Sequence, residues 1–582
     1  MSVSAKVVTR RTAVDPARYQ FDDSYPPLLQ KIFAARGALG DQDVSVGLAG
    51  LLSPHNLAGL EAALALLITA LEQRQRIVIV GDFDADGATS SALAVLSLRA
   101  MGAAWVDFLV PNRFEYGYGL TPEIVEVAKT LRPDLILTVD NGISSIDGVA
   151  AANSAGIAVL VTDHHLPGRE LPAAAAIVNP NQRGCDFASK NLAGVGVIFY
   201  VMSALKTALK TRGWFALQQL PEPAMADYLD LVALGTVADV VPLDHNNRIL
   251  VEQGLRRMRA GRMRPGIRAL LQVAGRDHQR LVSADMGFAI GPRLNAVGRL
   301  DDMSLGINCL ITEDERLAAE LAAQMDDLNR DRKSIEGTMQ REALASLEAL
   351  SLEPAAMPFG LCLYDGQWHQ GVVGILASRV KDRYHRPVIA FADDVPGVSI
   401  KGSARSIPGF HIRDALDAVA SKHPQLLSKF GGHAMAAGMS LQLEHFAAFS
   451  AAFDSEVSRQ LVAADLQAQL LTDGELSATE FSLELAHTLR LAAPWGQHFP
   501  EPLFDGVFRL VQQRLVGGNH LKMVLAIDDS GQQLIDAIAF NIDLELWPNN
   551  AVESVRAVYK LDVNDFRGRQ SLQLLVDYVE PL

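Results

Sequence analysis

Three short apolar runs in the first third of the chain each end in acid, and no other feature restricts the fold as much. Residues 76–80 (RIVIV) lead into GDFDADG at 81–87, residues 135–139 (LILTV) into Asp140, and residues 157–162 (IAVLVT) into Asp163, His164 and His165. Unbroken aliphatic and β-branched runs of this length suit strands buried on both faces, as in a parallel sheet covered by helices. Helical patterns at 89–101, 122–131, 145–155 and 194–211 and further strand patterns at 105–110 and 175–178 alternate with them. That alternation predicts an α/β domain with a mostly parallel sheet. The carboxyl ends of parallel strands share one edge, and ligands bind in the crevice outside it. The three runs therefore deliver acids and imidazoles to one place, and Asp239, at the end of a helix in LGTVADVVPL, is placed to reach it from the side.

GDFDADG taken alone admits other chemistry. A calcium loop counted from Asp82 needs a glutamate where Leu93 stands, and a helix where RIVIV stands. An aspartyl-phosphate pattern D-x-D-x-T wants Thr at Asp86. Each residue also has a purely structural role open to it: Asp82 or Asp86 as a helix cap, Asp140 before Asn141-Gly142 as a turn residue, either histidine as a core side chain. Those roles would all have to coincide at one sheet edge, where unneutralised carboxylates are costly. The set predicts two divalent metal ions held by carboxylates and one or two imidazoles, Mn2+ or Mg2+ in preference to Zn2+. Such a site suits displacement at a phosphoester.

The remaining sequence sets the domain plan. A chain of 582 residues suffices for about three to five domains. Residues 1–70 are read as an N-terminal extension and 71–243 as the catalytic α/β domain. Residues 244–352 form an arginine-rich helical region ending in a long connector helix, which Thr312 and Glu315 open as a capping box. A second α/β domain spans 353–464, with glycine at turns in KGSARS and FGGHAMAAG. Five strand patterns between 506 and 578 place a five-stranded barrel of the oligonucleotide-binding type in 465–582. The net charge of −15 argues against a polyanion partner, yet residues 244–299 carry eleven arginines and no lysine. A solvated helical face is the ordinary reading of such a run; the exclusive use of arginine turns it toward phosphate. Cys185, Cys309 and Cys362 are isolated and support neither a disulfide framework nor a zinc site. The N-terminus lacks the apolar core of a signal peptide and the run at 62–71 is too short to span a bilayer, so a cytoplasmic location and no membrane partner are expected.

GDFDADG, VDNG, TDHH and GTVADVVPL, in this order, resemble the four metal-site motifs of the DHH phosphoesterase family, named for its Asp-His-His triplet. GPRLNAVGR (291–299), GVVGILASR (371–379), GSARS (402–406) and FGGHAMAAG (430–438) resemble its bacterial branch of single-strand-specific 5′ to 3′ DNA exonucleases. The resemblance implies that Asp84 and Asp86 are metal ligands, that Asp140 bridges two ions, and that His164 and Asp239 complete the shell of the second. It implies that Asp82 ligates or hydrogen-bonds beside them, and that His165 supports the site or contacts phosphate. The second α/β domain resembles the family's substrate-gripping DHHA1 domain, with Ser403, Arg405, Gly431, Gly432 and His433 around a 5′ phosphate, together with Arg293, Asn295 and Arg299. Arg113 would face the strand, and Tyr116 or Tyr118 would stack on a base. The implied reaction is in-line hydrolysis of the terminal phosphodiester, with the 3′ oxygen leaving and a 5′-mononucleotide released, in DNA recombination and repair. The implied partners are single-stranded DNA with a 5′ end, a helicase and a single-stranded-DNA-binding protein, with the enzyme a monomer. Two rivals are a small-molecule phosphodiesterase or pyrophosphatase of the same family, which needs neither the arginine-rich stretch nor the barrel, and a non-catalytic replication factor, which would have lost metal ligands.

Overall fold

A computed structural model describes residues 6–111, 119–349, 357–427, 429–528, 530–542, 544, 547–566 and 568–582. Arg113, Tyr116 and Tyr118 lie outside the described residues. The chain divides into two compact units, one of Arg10–Leu328 with Thr472–Leu582 and one of Met1–Thr9 with Asn329–Leu471. Among the described residues, no single helix is long and apolar enough to cross a membrane.

After a short strand β1 (Val7–Arg10), the larger unit is built on β2 (Arg76–Gly81), β3 (Trp105–Leu109), β4 (Leu135–Val139), β5 (Ala158–Thr162) and β6 (Ala176–Val178). They pair in the order β3-β2-β4-β5-β6, every pairing parallel. The strand order reverses between β2 and β4, so the crevice of an open α/β sheet falls where Asp82 and Asp140 leave the sheet. Every residue of β4 is buried, as its unbroken apolar run requires. The helix Ala85–Ala100 starts four residues earlier than its apolar pattern indicates, because Asp84 caps it. It is buried on nearly all sides by the sheet and by the helices Gly194–Thr211, Leu229–Ala238 and Ser304–Ile311, which explains its lack of a polar face.

In the smaller unit β7 (Leu361–Tyr364), β8 (Val388–Val395), β9 (Ser399–Arg405), β10 (Lys429–Gly432) and β11 (Ala436–Gln442) form a sheet in the order β10-β11-β9-β8-β7, and β12 (Gln469–Thr472) pairs with β1. Only the β7–β8 pairing in the five-stranded sheet is parallel. The sequence expectation of turns at KGSARS and FGGHAMAAG is corrected here: most of both segments is strand. Gly402 is small because it lies against the ring of Phe391 on the neighbouring strand, a close approach that a Cβ would block. The connector helix Glu315–Ala349 is also opened differently: Asp314, not Thr312, accepts the Arg316 and Leu317 amides, at 2.8 and 3.2 Å.

The last five strands, β13 (Phe504–Val516), β14 (His520–Ala526), β15 (Leu534–Ala539), β16 (Ser554–Phe566) and β17 (Arg569–Pro581), close into a barrel in the order β13-β14-β15-β17-β16. This barrel and residues 10–70 share the core of the catalytic sheet. Phe33, on the helix Pro27–Ala34, packs against Trp495 and Phe499 with ring centroids 5.9 and 6.1 Å apart. Arg36, whose side chain is 1% exposed, grips Asp473 through two hydrogen bonds of 2.7 and 2.9 Å. Much of the arginine-rich stretch is spent the same way. Arg248 donates to the Leu243 and Asp43 carbonyls and lies over the Phe499 ring; Arg259 pairs with Glu252, Arg257 with Asp227, Arg264 with Asp230 and Arg280 with Asp565 on the barrel. At those positions the charge run holds the fold together, so it gives no separate argument for a phosphate-rich ligand.

Candidate active site

The acids assemble at the carboxyl edge of the parallel sheet by distinct local devices. Asp84 caps the helix Ala85–Ala100, its Oδ1 accepting the Asp86 and Gly87 amides at 2.9 and 3.0 Å. The cap is thus Asp84, where the sequence alone admits Asp82 or Asp86. Two residues on, buried Asp86 accepts the amides of Gly194 and Val195 at 2.6 and 2.9 Å. Those amides open the helix Gly194–Thr211, whose own N-cap position, Ala193, has no polar side chain to serve them. Asp140 leaves β4 with φ of 60°, a left-handed conformation that aspartate tolerates better than most residues. Gly194 approaches Asp140 so closely that a Cβ there would lie 2.6 Å from its carboxylate. Asp239 follows the last residue of the helix Leu229–Ala238, and Val240 behind it is held at φ of 63°.

His164 binds these contributions together. Its Nε2 lies 3.1 Å from Asp140 Oδ1, 3.6 Å from Asp239 Oδ2 and 4.0 Å from Asp86 Oδ2. Three overlapping sets of possible ligands result, Asp82-Asp84-Asp140, Asp86-His164-Asp239 and Asp140-His164-His165, with the ligand atoms of each set within 4.8 Å of one another. Asp140 and His164 each belong to two sets. The donors are carboxylate oxygen and imidazole with no thiolate, a composition that fits Mn2+ or Mg2+. Burial and the Asp84 charge push Asp86 up to about 7, and burial with neighbouring carboxylates raises Asp140 and Asp239 well above the ordinary aspartate range. Crowded acids of this kind are relieved by a bound cation.

The sequence marks Asp163 only as one of the acids at a strand end; the structure shows its task. Fully buried, it accepts the amides of Ile143, His164 and His165 at 2.9, 2.7 and 3.0 Å and binds His165 Nδ1 at 2.7 Å. Burial pushes its pKa up, but the His165 hydrogen bond and both histidines outweigh burial and hold it below the ordinary value. Burial likewise acts to lower His165, and Asp163 with the Asp82 and Asp84 charges reverses this and raises it to about 9. Asn179 and Asn181 support the histidine segment from the end of β6, donating to the carbonyls of His165 and His164 at 2.9 and 2.6 Å. They follow a buried strand end, as the acids do, and that shared position is the signal by which the sequence could have marked them.

The residues expected at a phosphate fall into two places. In the larger unit, the helix Gly291–Leu300 braces GDFDADG: Asn295 Oδ1 accepts the Ala85 amide at 2.8 Å, and Gly298 packs on the Phe83 carbonyl where no Cβ would fit. Arg293 is engaged by Asp326 at 2.7 Å and by the Ala289 carbonyl at 2.6 Å. Arg299 lies in the last turn of the same helix. In the smaller unit, Ser403 and Arg405 share one face of β9, with Arg405 Nη1 3.0 Å from Ser403 Oγ. Gly374, in the first turn of the helix Val373–Tyr384, comes close enough to both that a Cβ would sit 2.8 Å from each. Gly431 and Gly432 lie on β10, and His433 follows, its amide donating to Ala436, the residue paired with Arg405.

Parallel strands ending in clustered acids, with an imidazole among them, define a metal-dependent phosphoesterase. Residues 76–236 match the DHH family, N-terminal domain; residues 358–459 match the DHHA1 domain, and residues 472–578 the RecJ OB domain. A single-stranded-DNA-specific exonuclease RecJ from Dickeya dadantii is 56% identical over 576 residues, covering 99% of this chain and 100% of that protein. The crystal structure of Thermus thermophilus RecJ in complex with Mn2+ is similar with a TM-score of 0.77 and 30% identity, over 98% of this chain and 80% of that one. RecJ of the same organism in complex with Mg2+ is similar with a TM-score of 0.72 and 28% identity, over 97% and 78%. The chain belongs to the RecJ family of single-stranded-DNA-specific exonucleases.

Proposed function

We propose that this chain is a metal-dependent exonuclease that degrades single-stranded DNA from its 5′ end and releases 5′-mononucleotides in recombination and repair. The convergence of Asp82, Asp84, Asp86, Asp140, His164 and Asp239 at one sheet edge carries the reading. Asp82, Asp84 and Asp140 would hold one ion, and Asp86, His164 and Asp239 a second, with Asp140 shared between them. Two divalent cations so bound supply an activated water and neutralise charge on the attacking and leaving oxygens of a phosphodiester displacement. Asp163 accepts the His164 and His165 amides and binds His165 Nδ1, which holds the His165 ring at the site, suited to supporting it or contacting the scissile phosphate.

Ser403, Arg405, Gly431, Gly432 and His433 would receive the 5′ phosphate, since an arginine fork and backbone amides suit that group. Arg299, and Arg113 with Tyr116 or Tyr118, remain proposed contacts to the strand, while Arg293 and Asn295 act through the brace they form behind GDFDADG. A barrel in the same core as the catalytic sheet favours a polymeric substrate over a small phosphoester. On the family resemblance we assign the protein to the cytoplasm as a monomer, working with a helicase and a single-stranded-DNA-binding protein. The Asp140→Ala variant should fold and lose all cleavage, and Arg405→Ala should lose the preference for 5′-phosphorylated ends. Activity retained by the first would refute the active site, and preference retained by the second would refute the phosphate pocket.

A further inference from the structure

Phe288 is 84% exposed, the highest value among the large apolar side chains of the described residues. It stands in a single turn of π-helix, Met286–Ile290, between Asp285 and the helix Gly291–Leu300. Such turns are rare, and where they persist they frequently mark functional sites. The neighbours in this turn, Met286, Ala289 and Ile290, are buried, so the irregularity presents one aromatic ring to solvent from an otherwise anchored segment. The location is specific. Gly287 lies against Val237 and Gly291 against Ala238, which places the turn on the end of the helix that delivers Asp239. The helix that follows braces GDFDADG through Asn295. Next to Asp239, Val240 is 63% exposed and holds a left-handed conformation that β-branched residues avoid. Two exposed apolar side chains, Phe288 and Val240, thus stand on segments next to the one that delivers Asp239.

A ligand that meets both features must present planar apolar faces beside anionic groups. Unpaired DNA does so: its bases have faces open to stacking, and aromatic side chains take them with little regard to sequence. Bases inside a duplex are already stacked on both sides, and its terminal bases are held by pairing. Building on the function proposed above, we propose that Phe288 stacks on a base of the substrate strand beside the scissile phosphodiester, and that this contact contributes to the choice of single over double strand.

The test compares the full-length wild type with Phe288→Ala, Phe288→Leu and Phe288→Trp on 5′-phosphorylated oligonucleotides, intact or carrying one abasic residue at each of the first few positions. Ala and Leu should lower kcat/KM by about tenfold to a hundredfold, mostly through KM, while Trp retains it. One abasic position should cost the wild type a similar factor and the Ala variant little. Equal activity of Leu and Trp, or abasic costs that are the same in wild type and variant at every position, would overturn the assignment. The abasic scan of the wild type stands whatever the variants' stability: if no position is costly, the stack does not exist. A wild type that degrades no single strand would overturn the proposed function and this contact with it, whereas normal cleavage without any effect at Phe288 overturns the contact alone.

Discussion

Asp86, Asp140 and Asp239 lie together where burial and neighbouring carboxylates, Asp84 among them, raise all three pKa values. An acid with a raised pKa binds its proton more tightly in the folded chain than in the unfolded one, so the stability it supports is lost as pH rises through its folded value. For Asp86 that loss runs from the ordinary carboxylate range up to about 7. His165, raised to about 9, has the same sign, with stability present below its ordinary value and lost as pH passes about 9. The chelated protein should therefore melt at a lower temperature at about pH 8 than at about pH 5. Excess Mn2+ should raise the melting temperature more at the higher pH, where protons compete least for the ligands. Melting curves at both pH values with chelator or Mn2+ measure this, and a metal-independent melting temperature would count against a cation site at these residues. The acids and His164 are legible in the sequence because each closes an apolar run, and the geometry of a parallel sheet does the rest. The cap at Asp84 is not: the sequence points to Asp82 or Asp86, and only the backbone path brings the Asp84 carboxylate onto the Asp86 and Gly87 amides.

The helix Gly291–Leu300 shows why its motif is only half legible. GPRLNAVGR announces glycine and arginine together, a combination that suits phosphate, yet two of its features serve the loop carrying Asp82, Asp84 and Asp86. The partner of Asn295 is 210 residues away in sequence, so no local pattern reveals it. Gly298→Ala should displace GDFDADG, because its Cβ would collide with the Phe83 carbonyl oxygen, and both stability and cleavage should fall. Gly337→Ala, on the helix Glu315–Ala349 with no atom near the new methyl, should instead stabilise by about 0.5–1 kcal/mol through helix propensity. Urea denaturation and initial rates on both variants test the contrast, and a stable, active Gly298→Ala would show that the brace does not matter. The strands β9, β10 and β11 escape the sequence for a related reason: small residues there admit close backbone or aromatic neighbours, and glycine by itself reads as a turn.

At the scale of the whole molecule, barrel, N-terminal helices and catalytic sheet share one buried core and should unfold together. The Phe33-Trp495-Phe499 cluster and the Arg36-Asp473 pair join segments more than four hundred residues apart in sequence. Asp473→Ala should destabilise this unit by about 3–5 kcal/mol, because it leaves the buried Arg36 guanidinium without its counter-charge. Equilibrium denaturation would register this as a loss of the catalytic sheet together with the barrel, and a barrel that melts alone would contradict it. Removing residues 465–582 should consequently destabilise the catalytic sheet as well, since barrel and sheet share buried side chains. The five-stranded barrel is legible from its evenly spaced strand patterns, but its fusion to the catalytic sheet depends on contacts that no segment announces. The central claim, that the clustered acids and His164 make a single-strand exonuclease acting from the 5′ end, is tested most directly by digesting 5′-labelled and 3′-labelled oligonucleotides, single and double stranded, with Mn2+, Mg2+ or chelator. Labelled mononucleotide released first from the 5′-labelled single strand, only with metal present, is the predicted result. First release from the 3′ end, equal attack on the duplex, or cleavage that survives chelation would contradict it.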